Sequence, residues 1–201
     1  MSRAYRVTAA LAVWAGMAAA AAVAQRPHRT GLWGEFGSGP GFTRIACASC
    51  DDVTVAPGST GYLRIGGLLS DKVLLGLESF SFIDETFGFA DEDTSIVAET
   101  AMFAAVVLWF PWRSGVFFKG GVGAAHGEFT VRSEPQPTTS EGTGIGMTFG
   151  VGFDLVLSRR FALTANVGSF ITAIGDFEVS GQRVDDVIGS IYNATVGLTI
   201  R

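Results

Sequence analysis

Large apolar residues alternate with small or polar residues along most of the chain after residue 30. Between residues 143 and 157 every second position is apolar, from Ile145 to Leu157, and the positions between them are mainly glycine and threonine. Residues 187–200 show the same alternation. Because successive side chains of a strand point to opposite sides, each such segment is predicted to be a strand with one apolar face and one small or polar face.

The alternation predicts eight strands joined by connections that are alternately long and short. The strands cover residues 30–38, 60–69, 73–83, 95–110, 116–130, 143–157, 161–176 and 187–200. The long connections are 39–59, 84–94, 131–142 and 177–186, and the short ones are 70–72, 111–115 and 158–160. Outer-membrane barrels have short periplasmic turns and longer external loops. The pattern therefore predicts an all-β fold, a transmembrane antiparallel up-and-down β-barrel of about eight strands.

The composition of the two faces separates a membrane barrel from a soluble one. A soluble barrel that binds a ligand in its interior would turn the apolar face inward and need a well-hydrated exterior. Here the other face is mostly glycine and threonine, and only 16% of the residues are charged, against about 25% in ordinary globular domains. We therefore expect Ile145, Met147, Phe149, Val151 and Phe153 to face lipid, with the glycine-rich face lining a narrow lumen.

Aromatic residues stand near both ends of the predicted strands. Those beside the short turns are Trp109, Phe110, Trp112 and Phe161, and those toward a long loop are Phe80, Phe82, Phe87 and Phe89. Aromatic side chains gather at both membrane interfaces of such barrels. The two groups therefore predict two girdles, although ordinary core aromatics are the alternative interpretation.

The first 24 residues have the pattern of an export signal. Arg3 and Arg6 precede an uncharged, alanine-rich stretch over residues 7–23, and residues 22–24 offer a small-x-small cleavage site before Gln25. A retained membrane anchor is the alternative. Cleavage predicts a signal peptide over 1–24 and a barrel domain over 25–201. It removes two of the 14 basic residues and none of the 19 acidic ones, which leaves a formal charge of −7. That balance argues against nucleic-acid binding.

Three segments carry a resemblance to a known family. Residues 68–77 and 154–163 resemble the strand–turn–strand units of the OmpA/OmpX-type small outer-membrane barrels, and residues 119–123 are similar to their glycine-rich inner strands. The resemblance covers essentially the whole mature chain and implies the bacterial outer membrane as its location. It also implies contact with outer-membrane lipid and lipopolysaccharide, with the barrel-assembly machinery and periplasmic chaperones during biogenesis, and a monomeric state. Final strands of this class usually end in an aromatic residue, whereas Ile200 is followed here by Arg201.

Several charged residues are predicted to lie on the inward face. They are Glu35, Arg64, Glu78, Glu99, Lys119 and Asp154. Residues equidistant from the centre of a hairpin connection oppose one another and share a face. This predicts a Glu35–Arg64–Glu78 chain and a Lys119–Asp154 pair, since isolated charges in a narrow lumen would be costly. The network is expected to plug the barrel, and the alternative is a gate or a narrow ion path.

Cys47 and Cys50 form the chain's only cysteine pair and fall in the first long connection. Exported proteins meet an oxidising compartment, so a local loop disulfide is predicted, with unpaired thiols as the alternative. Asp51 stands where a c-type haem motif would need histidine, and no βαβ context supports a thioredoxin-like site. No cofactor is predicted.

The remaining chemical candidates are weak. His126 and Glu128 share one face near a strand end, a position at which a lipid-modifying enzyme could carry catalytic groups, but no serine nucleophile is marked. The second long connection contains five acidic residues, Asp84, Glu85, Asp91, Glu92 and Asp93. Their spacing does not match an EF-hand, and a solvated loop is favoured over a divalent-cation site. We predict no catalytic, cofactor-binding or metal-binding residue.

The sequence favours a non-enzymatic outer-membrane protein with a structural or surface-interaction role. Three other classes stay open. They are a small porin or channel for ions or hydrophobic solutes, an outer-membrane lipid-modifying enzyme, and a soluble periplasmic barrel with a ligand inside.

Overall fold

The computed structural model of the chain describes residues 31–46, 54–88, 95–112, 114–132, 138–174, 177–179, 182–184 and 187–201. The strands are β1 (Leu32–Ala46), β2 (Thr54–Ser70), β3 (Val73–Gly88), β4 (Ser95–Trp109), β5 (Val116–Arg132), β6 (Thr138–Val156), β7 (Phe161–Ile174), β8 (Phe177–Val179), β9 (Gln182–Val184) and β10 (Val187–Ile200). In the described part of the chain there is no helix of the length and apolarity needed to cross a membrane.

Eight strands close into a barrel in which every neighbour is antiparallel. The order around the barrel is β1-β10-β7-β6-β5-β4-β3-β2, so consecutive long strands are neighbours and β10 closes the barrel against β1. The short strands β8 and β9 pair with each other as a separate hairpin between β7 and β10. The predicted all-β antiparallel barrel of eight strands is confirmed.

Five strands, β1, β2, β3, β5 and β6, extend further toward the long connections than the sequence pattern predicts. The first long connection was expected to span 39–59, but Pro40 pairs with Ser59 and Gly41 with Gly58 inside the β1–β2 ladder. In the same way β5 continues to Arg132 and β6 begins at Thr138. Glycine and proline usually mark loops. Here pairing with a neighbouring strand keeps these residues extended, so strand pairing overrides the local signal.

The two faces of the wall are arranged as the alternation predicts. On β6, Ile145 is 71% exposed and Met147 and Phe149 are about half exposed, whereas Gly146 and Thr148 between them are buried. The same division runs around the eight long strands, so apolar side chains cover the outside and glycine and threonine line much of the inside. Had the apolar side chains filled a central core, the barrel would have been a soluble one.

The end of the barrel that carries the connections 71–72, 110–115 and 157–160 is called here the short-turn end, and the opposite end is the long-loop end. At the short-turn end the rings of Trp109 and Trp112 lie on the outside with their centroids 5.8 and 6.1 Å from that of Phe118. Phe161 is also exposed on the outer face. These residues form the aromatic girdle expected at that end.

The girdle predicted from Phe80 and Phe82 is wrong. Both rings point into the barrel, with 2% and 1% of their surface exposed, because they share the alternation phase of Glu78 on β3. Phe110 also points inward. The side chain of Phe87 and all of Phe89 lie outside the described residues. An outward aromatic pair near the long-loop end is instead Phe42 and Tyr192, which are stacked at 5.3 Å.

Inward glycines create the space that large side chains of the neighbouring strand occupy. A Cβ atom on Gly152 of β6 would lie 2.2 Å from the ring of Phe117, and one on Gly37 of β1 would lie 2.7 Å from the hydroxyl of Tyr62. Contacts that short do not occur between real side chains and Cβ atoms. The glycine-rich face therefore lets a barrel of eight strands fill its interior with aromatic and charged groups.

Candidate functional site

Four charged side chains meet inside the barrel. Arg64 on β2 donates from Nη1 to Glu35 Oε1 on β1 at 2.8 Å, and from Nε to Glu78 Oε2 on β3. Lys119 on β5 donates to both carboxylate oxygens of Glu78, at 2.9 and 3.1 Å. None of the four is more than 4% exposed. The structure thus brings together the predicted Glu35–Arg64–Glu78 chain and adds Lys119 to it; these four residues are called here the lumen network.

Register explains why the first three residues meet. Arg64 lies directly opposite Glu35 in the β1–β2 ladder and directly opposite Glu78 in the β2–β3 ladder. Side chains that face each other across antiparallel strands lie about 5 Å apart at Cβ, within easy reach of an ion pair. Two cations and two carboxylates are present, so the formal charges of the lumen network cancel, as burial requires.

Aromatic rings enclose the lumen network. The Tyr62 hydroxyl donates to Glu35 Oε1 at 2.6 Å, and the Arg64 guanidinium carbon lies 4.1 Å from the centre of the Tyr62 ring. Lys119 Nζ lies 4.5 Å from the centre of the Phe170 ring. Cations at this distance from a ring face are attracted by its quadrupole.

The Phe80 and Phe170 rings stack across the lumen, with centroids 3.5 Å apart. They come from β3 and β7, which lie four strands apart in the eight-stranded barrel and therefore on opposite sides. Sequence reasoning did not single out Tyr62 or Phe170. Alternation phase could have found Tyr62, since it lies two residues from Arg64 on the same face.

A second polar cluster lies nearer the short-turn end. The Arg201 guanidinium forms an ion pair with the carboxylate of Asp154, and both side chains are 5% exposed. Thr164 donates to Asp154 Oδ1 at 2.9 Å and is 2.6 Å from the Thr199 hydroxyl. The cluster connects β6, β7 and the end of β10 through side chains.

The predicted Lys119–Asp154 pair is wrong. Lys119 lies opposite Gly150 in the β5–β6 ladder, four residues away from Asp154 along β6. The prediction centred this hairpin on a connection over 131–142, whereas Val131 still pairs with Thr138. Each residue finds a different partner, Glu78 for Lys119 and Arg201 for Asp154.

The whole wall matches a family model. The model described as outer membrane protein beta-barrel domain matches residues 8–199. The chain belongs to this outer-membrane β-barrel family. Its members cross the membrane with their strands, so the apolar outer face of this barrel contacts lipid and the protein is placed in the bacterial outer membrane.

Solved structures show the same fold at low sequence identity. The chain is similar to Ail, the attachment invasion locus protein of Yersinia pestis, with 14% identity, a TM-score of 0.57, and 85% of this chain and 99% of that one covered. It is also similar to Neisserial surface protein A, with 13% identity, a TM-score of 0.55, and coverage of 85% and 97%. A major outer membrane protein from Thermus thermophilus matches at 12% identity and a TM-score of 0.50, with 84% and 98% covered. Among curated proteins, none matches the chain.

Family membership orients the barrel. Short turns lie in the periplasm and long loops outside in this class. The lumen network therefore lies between an external rim, near the starts of β4 and β6, and the periplasmic cluster of Asp154 and Arg201.

The prediction that Glu99 faces the lumen is wrong. Inward positions on β4 include Met102 and Ala104, and Glu99 has the opposite phase, so its side chain is exposed on the outer face. It pairs with Glu128 of β5, which in turn pairs with Glu141 of β6. The barrel of this outer-membrane family member therefore carries a row of carboxylates at its external rim, above the apolar band that begins at Ile145 on β6.

His126 also belongs to the outer wall, where it is half-buried and lies opposite Thr143. Its neighbour on that face, Glu128, accepts a hydrogen bond from Thr130 at 3.3 Å. Within the described ranges, no three His, Cys, Asp or Glu side chains come close enough to hold a metal ion.

Some predicted residues are outside what the structure describes. Cys47, Cys50, Asp91, Glu92 and Asp93 lie there, as does the segment 1–30 that contains the predicted signal. Of Glu85 only the backbone is described. Asp84 was assigned to the acidic connection, but it is part of β3, where it pairs with Ala98 and is fully buried.

Proposed function

We propose that this outer-membrane barrel is a non-enzymatic protein with a structural or surface-interaction role. One observation supports this above all: paired charges and a stack of two rings cross the lumen at its middle. The barrel then acts as an anchor, and the surfaces that meet partners are its outer wall and its external connections.

The contents of the lumen argue against a passage for solutes. Arg64, Glu78 and Lys119 converge from three strands, and the Phe80–Phe170 stack lies beside Lys119 and spans the full width of the barrel. In a barrel of eight strands the interior is just wide enough for side chains to fill. An ion would have to displace a buried ion pair and separate two stacked rings, so we expect the resting protein to be closed.

The length of the strands supports an external role. A strand needs about 9–11 residues to cross the membrane, and β6 has 19. The outward residues at the start of β6, Glu141 and Thr143, are polar, and the apolar band begins only at Ile145. The wall therefore continues beyond the hydrocarbon, where lipopolysaccharide head groups are the partner we propose for the rim.

Conductance of the purified full-length protein in planar bilayers tests this function. We expect no discrete current steps in the wild-type protein. The channel hypothesis makes the opposite prediction, with steps whose size changes in Arg64→Ala. A matched variant on the lipid face, Val167→Ala, would leave either result unchanged because its side chain is outside the lumen.

The lipid-enzyme hypothesis is tested by mass analysis of lipid A from cells that express the wild-type protein or His126→Ala. We expect identical lipid A in both strains and in a strain without the protein. A modification that depends on the protein and disappears with His126→Ala would contradict a non-enzymatic role.

Biogenesis belongs to the same proposal. We propose cleavage after residue 24, transfer by periplasmic chaperones, insertion by the barrel-assembly machinery, and a monomeric product. Intact-mass measurement of the protein from outer-membrane fractions should give a chain that begins at Gln25. Recovery in the soluble periplasm without detergent would contradict insertion.

A further inference from the structure

A groove crosses the outer wall of the barrel below the external rim. It has a volume of about 560 Å³ and runs across β3, β2, β1, β10 and β7. Two rows of residues that pair across these strands line it. The row nearer the long-loop end begins with Ser81, Gly61 and Ser38, and the row below it runs from Ser79 to Leu163. This feature is called here the wall groove.

The groove exists because small outward residues lie beside large ones. Ser38 and Ser81 are exposed and short, and Gly61 between them carries no side chain. In the row below, the side chains of Phe36 and Leu63 are 51% and 53% exposed and stand out from the wall. A Cβ atom on Gly61 would make only an ordinary contact, 3.4 Å from Ser81 Oγ. The space above Gly61 is therefore open to a larger group.

The two ends of the wall groove differ in polarity. Three serine hydroxyls, of Ser38, Ser79 and Ser81, lie at the end formed by β1, β2 and β3, whereas Leu163 and Leu198 line the end formed by β10 and β7. A hydroxyl transferred to hydrocarbon is costly unless it finds a hydrogen-bond partner. The groove therefore fits a ligand with a hydrogen-bonding group at one end and a hydrocarbon chain at the other.

Strand register fixes the depth of each end in the membrane. Ser81 is the outward residue next to Ile83, which pairs with Glu99 of the external rim. Leu163 is the outward residue next to Phe161 of the periplasmic girdle. The polar end thus lies just below the external surface and the apolar end lies deep, toward the periplasm. A lipid of the external leaflet has this order of polarity, and a lipid of the periplasmic leaflet has the opposite order.

The length of the wall groove suits one acyl chain. Adjacent strands lie about 4.8 Å apart, so a groove across five strands is about 19 Å long. The hydrocarbon core is about 30 Å thick, so the chains of one leaflet are about 15 Å long. The groove is also continuous with the outer wall that contacts lipid in this family. A chain of the surrounding lipid can therefore enter it directly from the membrane.

We propose that the wall groove binds one acyl chain of lipid A, the lipid part of lipopolysaccharide, from the external leaflet. The chain packs on Phe36 and Leu198, and the ester, amide or hydroxyl groups near its sugar end form hydrogen bonds with Ser38 and Ser81. The inference rests on the proposed contact between the rim and lipopolysaccharide head groups and deepens it. The rim then contacts the sugar, and the wall groove holds one of its chains.

A side chain that fills the groove tests the proposal. Native mass spectrometry counts the lipids that stay on the full-length protein after release from nanodiscs of lipid A and phosphatidylethanolamine. We expect one lipid A on the wild-type barrel and about tenfold less retention in Gly61→Leu, whose side chain occupies the space of the acyl chain. Gly120→Leu adds the same side chain to the outer face of β5, where a Cβ atom meets nothing within 4 Å, and should match the wild type.

Several results of this measurement would overturn the proposal. They are undiminished retention of lipid A by Gly61→Leu, a wild-type barrel that retains no lipid or prefers phosphatidylethanolamine, and a wild-type dimer that Gly61→Leu dissociates. A second variant adds no volume to the wall. Ser38→Ala combined with Ser81→Ala should lower the retention about threefold, as expected for a lost hydrogen bond. Unchanged retention in that double variant would contradict the role given to the polar end.

Deacylated lipopolysaccharide separates the groove from the rim, because it carries the head groups without the chains. Calorimetric titration should give equal binding to the wild-type protein and to Gly61→Leu. If it binds both equally while Gly61→Leu still retains lipid A, the wall groove is wrong and the rim contact stands. If it binds neither while lipid A retention is lost in Gly61→Leu, the rim contact is wrong and the wall groove stands.

Discussion

Lys119 and Glu78 form a buried ion pair although β4 separates their strands. Lys119 Nζ lies 2.9 and 3.1 Å from the two carboxylate oxygens of Glu78, which also accepts from Arg64. One carboxylate therefore pairs with two cations that come from different sides of the lumen, and Glu35 balances the remaining positive charge. Glu78 is the centre of the lumen network. The loss of unfolding free energy on replacing each of the four side chains should therefore depend on which charges lose their partners.

Removal of Glu78 should destabilise the barrel more than removal of Lys119. Glu78→Leu leaves the guanidinium of Arg64 and the ammonium of Lys119 facing each other in a buried site, and loss of one partner from a buried pair costs about 3–5 kcal/mol. Lys119→Met leaves Arg64 paired with both carboxylates, so a smaller loss is expected. Urea unfolding in lipid vesicles, followed by tryptophan fluorescence, gives both free energies. Equal losses would contradict the central role of Glu78.

The lumen network was predictable across the short turn at Asp71, and across the first long connection because β1 and β2 extend past their predicted ends by similar amounts. Arg64 and Glu78 are equidistant from a tight turn at Asp71, so hairpin symmetry fixes their register. The Lys119–Asp154 prediction used the centre of a long connection instead. The strands there continue beyond the apolar band, where alternation of apolar residues no longer shows the strand end. Backbone pairing with neighbours holds those segments, and that cannot be read from local composition.

Two other errors have a common cause. The predictions for Phe80 and Glu99 do not follow the alternation phase of their strands. Alternation phase along each strand decides the face, and it places Phe80 with Glu78 inside and Glu99 outside. Contacts between strands that are not consecutive, such as the Phe80–Phe170 stack and the Arg201–Asp154 pair, depend on barrel closure. Hairpin symmetry relates only consecutive strands and therefore cannot predict them.

Two glycines on β5 should respond differently to an added methyl group. A Cβ atom on Gly123 would lie 2.0 Å from the backbone oxygen of Phe103, whereas one on Gly120 would meet nothing within 4 Å. Gly123→Ala forces the β4–β5 backbones apart and should destabilise the barrel by about 1–3 kcal/mol. Gly120→Ala should be neutral or slightly stabilising, since alanine restricts the unfolded chain. The two unfolding free energies, measured side by side in vesicles, provide the check, and similar losses would contradict the close approach of β4 and β5 at Gly123.

A charged side chain introduced on the lipid face should lower the unfolding free energy only within the apolar band. Val151 is the middle one of the seven outward apolar positions between residues 145 and 157 and is 48% exposed. Val151→Lys should destabilise the protein by about 2–4 kcal/mol, as expected for a lysine near the bilayer midplane. Thr143→Lys, at the external rim of the same strand, should change the stability by about 1 kcal/mol or less because the side chain reaches water. Vesicle unfolding measures both, and an insensitive Val151→Lys would mean that this wall does not face hydrocarbon.

Arg201 and Asp154 should be energetically coupled. Their side chains pair in a largely buried site that joins the end of β10 to β6, and Thr164 supplies a further hydrogen bond to Asp154. Asp154→Asn and Arg201→Met should each destabilise the barrel, because each leaves one charge buried without its partner. The double variant should lose less than the two single losses together, by about 0.5–3 kcal/mol. Arg160→Met, at an exposed basic residue whose carbonyl accepts from the Arg201 backbone, is the matched control and should show no coupling to Asp154→Asn. Additive losses for Arg201 and Asp154 would show that the ion pair does not hold the periplasmic end of the barrel together.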